Sequence, residues 1–238
     1  MKIALIGYGK MGQAIDAIAT AKGHEIVLRI DANNQHLLEK EHLSQADVAI
    51  EFTTPETAYH NVLKCFEAHV PVVSGTTGWL DKLPEVQALC ISQEQAFLHA
   101  TNFSIGVNIF FEVNKKLAAL MAGQSQYDVQ MEEIHHTHKK DAPSGTALTL
   151  AEQVLASVPR KTAWSNDVSS EPAILSIISK RIDPAPGTHT ITYTSAIDDI
   201  TITHTAHSRE GFAAGAVIAA VWLQGKTGVF TMRDVLNL

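Results

Sequence analysis

Apolar positions in the first hundred residues fall into two alternating rhythms. Unbroken runs at 2–6, 25–30, 47–52, 70–74 and 96–100 have the length and content of strands buried on both faces. Between them the spacing turns helical. Met11, Ala14, Ile15, Ile18 and Ala19 share one face, a second helix follows the start Thr54-Pro55-Glu56 to about position 68, and a third covers 82–89. Thr54 supplies an N-cap, Pro55 a first helical residue and Glu56 a first-turn acid. Regular alternation of strand and helix predicts a doubly wound parallel sheet, whose ligands gather at the carboxyl ends of the strands. Phe52-Thr53-Thr54, Gly75-Thr76-Thr77-Gly78 and Asn102-Phe103-Ser104 fall at those ends.

A helix over 105–121 ends this pattern. The segment 128–134 reads as a strand stopping near His135, and after a polar loop Ser144 is placed to cap a helix that runs to about 157. Strands follow at 173–181, 188–194 and 200–205. The last two alternate strictly with threonine at every second position, which marks a sheet with one polar face. An alanine-rich helix over 213–224 then suits burial against the first domain, to which the ending 230–236 returns. The predicted fold class is α/β: a Rossmann-like doubly wound parallel domain from 1–103 and 209–238, plus an α+β domain over 104–208 with a mixed open sheet.

Composition narrows the partners. Hydrophobic residues at 45% with 18% charged are ordinary for a globular chain, and a formal charge of -7 argues against nucleic acid or an anionic membrane. The N-terminus enters a strand at once, with no leader-like apolar region and cleavage site, and no apolar run reaches membrane-spanning length. Cys65 and Cys90 lie in apolar helical patterns and read as buried thiols of a reducing compartment, so a cytoplasmic location is expected.

Two stretches carry chemistry. Gly7-Tyr8-Gly9-Lys10-Met11-Gly12 is G-x-G-x-x-G between a strand and a helix: Gly7 for the tight turn, Gly9 for close approach of a pyrophosphate, Gly12 for helix packing. Asp31 ends the next strand roughly 20 residues on, where a carboxylate accepts from ribose hydroxyls. The second stretch, 132–147, holds His135, His136, His138, Lys139 and Lys140 before Pro143-Ser144-Gly145-Thr146 opens a helix. Backbone amides at Ser144, Gly145 and Thr146, a lysine and protonatable imidazoles suit an anionic ligand and a general acid. His136 and His138 beside Glu132 and Glu133 offer metal ligands, but no distant Cys/His pair completes a zinc spacing, and no metal is expected. His189, His204 and His207 read as solvated or intersheet histidines.

The run His135-His136-x-His138-Lys139-x-Asp141-Ala142-Pro143-Ser144-Gly145-Thr146-Ala147 resembles the signature of the dihydrodipicolinate reductases, the 4-hydroxy-tetrahydrodipicolinate reductases of bacterial lysine and diaminopimelate synthesis. Gly75-Thr76-Thr77-Gly78 is similar to that family's nicotinamide loop, and Asn102-Phe103-Ser104-x-Gly106-Val107-Asn108 to its hinge into the substrate domain. The resemblance covers nearly the whole chain. It implies NAD(P)H-dependent reduction of a cyclic dicarboxylate to tetrahydrodipicolinate by a homotetramer assembled through the substrate domains, 104–208. It implies His135 and Lys139 as catalytic residues, with His135 the proton donor, and His136, Ser144, Gly145 and Thr146 as substrate contacts. The implied cofactor contacts are Gly7, Gly9, Lys10, Met11, Gly12, Asp31, Phe52, Thr53, Gly75, Thr76, Thr77, Ala100, Asn102 and Phe103, with Arg209 closing on the site from the domain junction.

Three departures from the family pattern stand out. Ala32 and Thr54 occupy places where arginine is usual, and 181–189 replaces a glycine-rich loop with one carrying two prolines. Without an arginine to neutralise a 2′-phosphate beside Asp31, NADH is expected to serve at least as well as NADPH. The rival readings are another NAD(P)-linked amino-acid dehydrogenase on the same plan, and a non-catalytic dinucleotide-sensing or metal-binding protein.

Overall fold

The computed structural model describes residues 1–208 and 210–238. Its elements run β1 (Lys2–Ile6), α1 (Lys10–Ala21), β2 (Glu25–Ile30), α2 (Lys40–Leu43), β3 (Val48–Glu51), α3 (Pro55–Glu67), β4 (Val72–Ser74), α4 (Leu83–Ser92) and β5 (Ala96–His99). There follow α5 (Ile105–Met121), β6 (Asp128–His135), α6 (Gly145–Ser157), β7 (Ala163–Ser165), β8 (Ile174–Arg181), β9 (Gly187–Thr194), β10 (Asp199–Ala206), α7 (Glu210–Leu223), β11 (Gly228–Phe230) and α8 (Met232–Leu236). The chain divides into two compact units, Met1–Ile105 with Glu210–Leu238, and Gly106–Arg209. No described helix is long and apolar enough to cross a membrane.

In the first unit the six strands form one parallel sheet in the order β11-β5-β4-β3-β1-β2. Alternate residues of each strand face opposite sides, so β1 sends Ile3 and Leu5 into a layer with Ile15, Ala216, Val217 and Ala220, and Ala4 and Ile6 into one with Val62, Phe66, Val86 and Phe97. Both faces are thereby covered, which explains why these strands read as unbroken apolar runs. Small residues let α7 approach closely: a Cβ at Gly215 would stand 1.9 Å from the Phe103 carbonyl oxygen. The strand order reverses between β1 and β3, and a crevice opens at such a switch point. Capping agrees with the sequence: Thr54 caps α3, and Thr57 completes a reciprocal capping box.

The second unit is a mixed five-stranded sheet, β10-β9-β6-β8-β7, with β6 parallel to β8 and antiparallel to β9. Helices α5 and α6 bury one face, packing Val107, Phe110, Leu150 and Val154 on Val129, Met131, Ile177, Ile191 and Tyr193. The other face carries cross-strand threonine pairs, Thr188 with Thr205, Thr190 with Thr203 and Thr192 with Thr201.

The sequence pattern left α2 and β7 unassigned and took the ending as one segment where a strand and a short helix form. Elements of three or four residues carry too little periodicity to be read. Helix α7 begins at Glu210, before the expected Ala213. Arg209 lies outside the described residues.

Candidate active site

The crevice of the first unit is built by the glycine turn. Gly7 has φ +96°, and a Cβ there would sit 1.9 Å from the Phe52 carbonyl oxygen; one at Gly12 would sit 2.1 Å from the Gly7 carbonyl oxygen. Gly9 faces open space, with nothing within 4 Å of a Cβ, which is the approach a phosphate needs. A cleft of about 430 Å³ runs from this turn along Asp31, Ala32 and Asn33 to Phe52, Thr53 and Thr54, and among the described residues no lysine or arginine lines it. Lys10 starts α1 and is exposed, followed by half-buried Met11. Asp31 accepts from the Asn33 amide at 2.7 Å. Arg29, in the adjoining strand, is committed elsewhere: its Nε donates to Asp16 at 2.6 Å and its Nη2 at 3.2 Å. That bond, outweighing the opposing effect of burial, holds the Asp16 carboxyl below its usual range.

The next two strand ends adjoin this rim. The Phe52 ring lies so close over Gly75 that a Cβ there would be 2.1 Å from the ring, and it packs on Phe103 at 5.5 Å between centroids. Thr77 is exposed, and Thr76 is buried with its hydroxyl donating to Glu51 at 2.8 Å. Phe103 is likewise buried, a packing partner rather than an open surface. Ala100 is half-buried, and Asn102 Oδ1 accepts from the Ser104 amide at 2.9 Å.

In the second unit β6 ends at His135, so His136 lies beyond the strand and its alternation. Val129, Met131, Glu133 and His135 share the buried parity of that strand. Gly187, His189, Ile191 and Tyr193 share the buried parity of β9, and the register sets His189 opposite Glu133. The result is a cluster. Glu133, fully buried, has Oε2 3.3 Å from His135 Nδ1, an ion-pair contact off the axis of a hydrogen bond, and 3.8 Å from His189 Nε2. Its Oε1 accepts from Arg181 Nη2 at 3.2 Å. Burial alone would raise the Glu133 carboxyl, but His135 and then donors including Ser144 hold it far below the usual range. Burial, with His135 beside it, pushes His189 down to about 4.

The helix start differs from expectation at one residue. The Ser144 amide donates to both Glu133 oxygens at 3.2 and 3.1 Å, and Ser144 Oγ accepts from the Ala147 amide and contacts His189 Nε2 at 3.2 Å. The Ser144 amide and hydroxyl are therefore engaged inside the protein, where they organise the loop. Gly145 is exposed, with open space where a Cβ would stand, and half-buried Thr146 follows it. Lys139 Nζ forms a two-pronged pair with Asp141 at 2.8 Å to each oxygen, while Arg181 donates to the Lys139 and Asp141 carbonyls and so pins this loop to Glu133. His136 is half-buried, its ring 6.3 Å from that of His138. Among the described residues, one group, Glu133, His135 and His189, has metal-capable atoms within 4.8 Å of one another. A cation there would compete with Arg181 and the Ser144 amide for the same carboxylate.

Two family models together match nearly the whole chain: the N-terminal part of dihydrodipicolinate reductase over residues 1–103, and its C-terminal part over residues 106–236. The chain belongs to the dihydrodipicolinate reductase family. A 4-hydroxy-tetrahydrodipicolinate reductase of Christiangramia forsetii is 50% identical over 239 residues, covering 100% of this chain and 98% of that protein. One from Neisseria meningitidis is 37% identical over 203 residues, 82% of this chain and 74% of that protein. Among solved structures, a dipicolinate-bound dihydrodipicolinate reductase from Paenisporosarcina superposes with a TM-score of 0.77 over 98% of both chains at 24% identity. An amine dehydrogenase from Mycobacterium smegmatis gives 0.61 over 96% of this chain at 12% identity, a likeness of fold alone. The family's reaction is NAD(P)H-dependent reduction of a small cyclic dicarboxylate in lysine and diaminopimelate synthesis, and the chain is accordingly an oxidoreductase.

Three side chains of this cluster are unassigned or misassigned in the sequence reading. His189 reads there as a solvated or intersheet histidine, yet it shares the parity of Ile191 and Tyr193, a signal that was available. Glu133 shares the parity of Met131 in the same way. The role of Arg181 had no local signal, because its partners lie some 40 or more positions away.

Proposed function

We propose that the first unit holds NADH or NADPH at the glycine turn, that the second binds the cyclic dicarboxylate, and that His135 delivers the proton of the reduction. The observation that carries this reading is that one buried carboxylate, Glu133, holds both His135 and the N-cap of α6, so acid and anion receptor are parts of one rigid piece. The fit of the cofactor rests on the open approach at Gly9 and the cleft leading to Asp31. When bound, the reduced nicotinamide supplies the hydride; the protein's residues bind, orient and protonate. Gly145 and Thr146 receive one substrate carboxylate at the positive end of α6, and Lys139 exchanges Asp141 for substrate with His136 beside it. Glu133 near Nδ1 orients the imidazole, leaving Nε2 as the atom that carries the proton toward substrate. Turnover of dihydrodipicolinate, generated in place by a dihydrodipicolinate synthase, with matching NADH oxidation is the test; no oxidation above that seen without synthase would overturn the proposal.

The cofactor corner supports NADH at least as strongly as NADPH, because Asp31 repels a 2′-phosphate, Ala32 and Thr54 offer no charge and Arg29 is held by Asp16. The preference expected is on the order of 1 kcal/mol, roughly tenfold at most. Ala32→Arg should shift kcat/KM toward NADPH, and a strong wild-type preference for NADPH would refute this placement. We further propose a homotetramer assembled through the second unit and working in the cytoplasm. The threonine face and the exposed apolar group Val113, Leu120 and Ile200 support assembly there, and the two buried free cysteines suit a reducing compartment.

A further inference from the structure

At the carboxyl end of β3, Glu51 is fully buried although the three residues before it, Val48, Ala49 and Ile50, are core. A carboxylate is costly to bury, and this one accepts from four donors, on the loop after β3, the last residue of β4 and the loop after β4. Oε1 takes the Thr53 amide at 3.0 Å, the Thr76 hydroxyl at 2.8 Å and the Thr53 hydroxyl; Oε2 takes the Ser74 hydroxyl at 2.6 Å. The Glu51 carbonyl also accepts from the Gly75 amide at 2.9 Å. One residue thus ties the loop after β3 to the loop after β4.

The bonds around it fix what those loops present. The Thr53 hydroxyl donates to Glu51 and accepts from Asn61 Nδ2 at 3.0 Å and from the Thr57 hydroxyl at 2.9 Å. The Thr76 hydroxyl donates to Glu51 and accepts from the Thr53 amide at 2.8 Å. Both hydroxyls are thereby used up inward. The Thr76 carbonyl is held in turn by Trp79 Nε1 at 2.8 Å and His99 Nε2 at 3.2 Å. The Thr53 and Gly75 amides and the Thr76 carbonyl are engaged as well, so both loops are locked in shape before a ligand arrives, and a preorganised rim of this kind binds without an ordering cost.

We infer that Glu51 is a positioning residue for the nicotinamide half of the cofactor, acting through Thr53 and Thr76 by joining two strand-end loops into one rigid rim. The inference rests on the reading of this unit as the cofactor domain. It separates the two halves of the cofactor: the glycine turn and Asp31 serve the adenosine diphosphate half, in a cleft that Thr53 borders and Thr76 does not.

The test is equilibrium binding of NADH and of ADP-ribose, which lacks the nicotinamide, to the full chain and its variants. Glu51→Ala should weaken NADH on the order of tenfold or more and ADP-ribose, whose cleft Thr53 borders, by no more than about threefold. Glu51→Gln should rescue NADH to within roughly threefold, since its carbonyl can keep the Oε1 donors and its amide can turn to Ser74. Should the alanine variant fail to fold, Thr76→Val removes one donor from the bridge with little change of volume, and NADH should weaken about threefold or more with ADP-ribose unchanged. Equal losses for both ligands, or no loss for NADH in either variant, would overturn the inference. A wild-type protein that binds neither ligand would instead sink the cofactor reading on which the inference stands.

Discussion

Acidification is expected to destabilise this protein through His189, by an amount set by where that side chain is buried. Its ring stands against Glu133, His135 and Ser144, and burial, with the neighbouring His135, pushes its pKa from 6.5 to about 4. As pH falls through 6.5 the unfolded chain takes up the proton, whereas the folded protein does so only near 4. The unfolded state therefore binds more protons across that window, and stability declines through it. At roughly 1.4 kcal/mol per pH unit, the loss attributable to this one group is about 3 kcal/mol. His24, His99 and His204 are also lowered, each chiefly by burial, so the slope of the wild type alone does not isolate His189. His189→Gln does: it removes the titration while keeping a polar atom within reach of Ser144. Urea unfolding of both proteins at fixed concentration between about pH 7 and pH 4 should show the wild type losing about 3 kcal/mol more than the variant as pH falls. Glu133 contributes to both curves, since its lowered carboxyl gives stability that is present above its ordinary 4.5 and lost below it. Parallel curves would refute the reasoning and mean that the imidazole takes a proton in place without penalty.

Four further outcomes follow from the same geometry. His135→Gln should lower kcat by roughly 10² to 10⁴ with cofactor affinity nearly unchanged, and near-normal kcat would remove it from the proton-donor role. Lys139→Ala should raise the substrate KM and lower kcat together in steady-state assays, and a change in neither would exclude it from the site. Gly75→Ala puts a methyl 2.1 Å from the Phe52 ring and should cost about 1–3 kcal/mol in urea unfolding, together with weaker NADH binding; a neutral result would mean the ring moves freely. Sedimentation at micromolar concentration should show a tetramer, and a stable monomer would contradict the assembly through the second unit.

Much of the first unit was legible because its strands are buried on both faces and its turns are punctuated by glycine, proline and threonine. The strand at Glu25–Ile30 and the long helix Ile105–Met121 came out to the residue, and the Ser144 and Thr54 caps occupy the positions their neighbours require. The site was legible where the motif is local and illegible where its partners are distant. Ser144 looked like a ligand contact because a helix start advertises its amides, but the amide is taken by a side chain eleven residues earlier that reads, in sequence, as one more strand acid. His189 was passed over on residue type when its parity with Ile191 and Tyr193 already placed it inside.

The two carboxylates share a physical logic. Glu51 closes β3 and Glu133 stands near the end of β6, each at zero exposure on a strand whose inward positions are otherwise largely apolar. A lone acid at the end of a strand ordinarily turns to water, and neither chain segment says otherwise by itself. What draws each inward is a set of donors brought by other elements: Ser74 and Thr76 in one case, Arg181 and the Ser144 amide in the other. Each acid then holds a neighbouring loop in a single geometry, the Thr76 loop for Glu51 and the His135 to Ser144 segment for Glu133. Replacing either by a hydrophobic residue would fill the volume and leave those donors unsatisfied, so the loops would lose their fixed shape even where the sheet survived. The core of each unit could be built without these charges; the orientation of the groups that meet ligand could not.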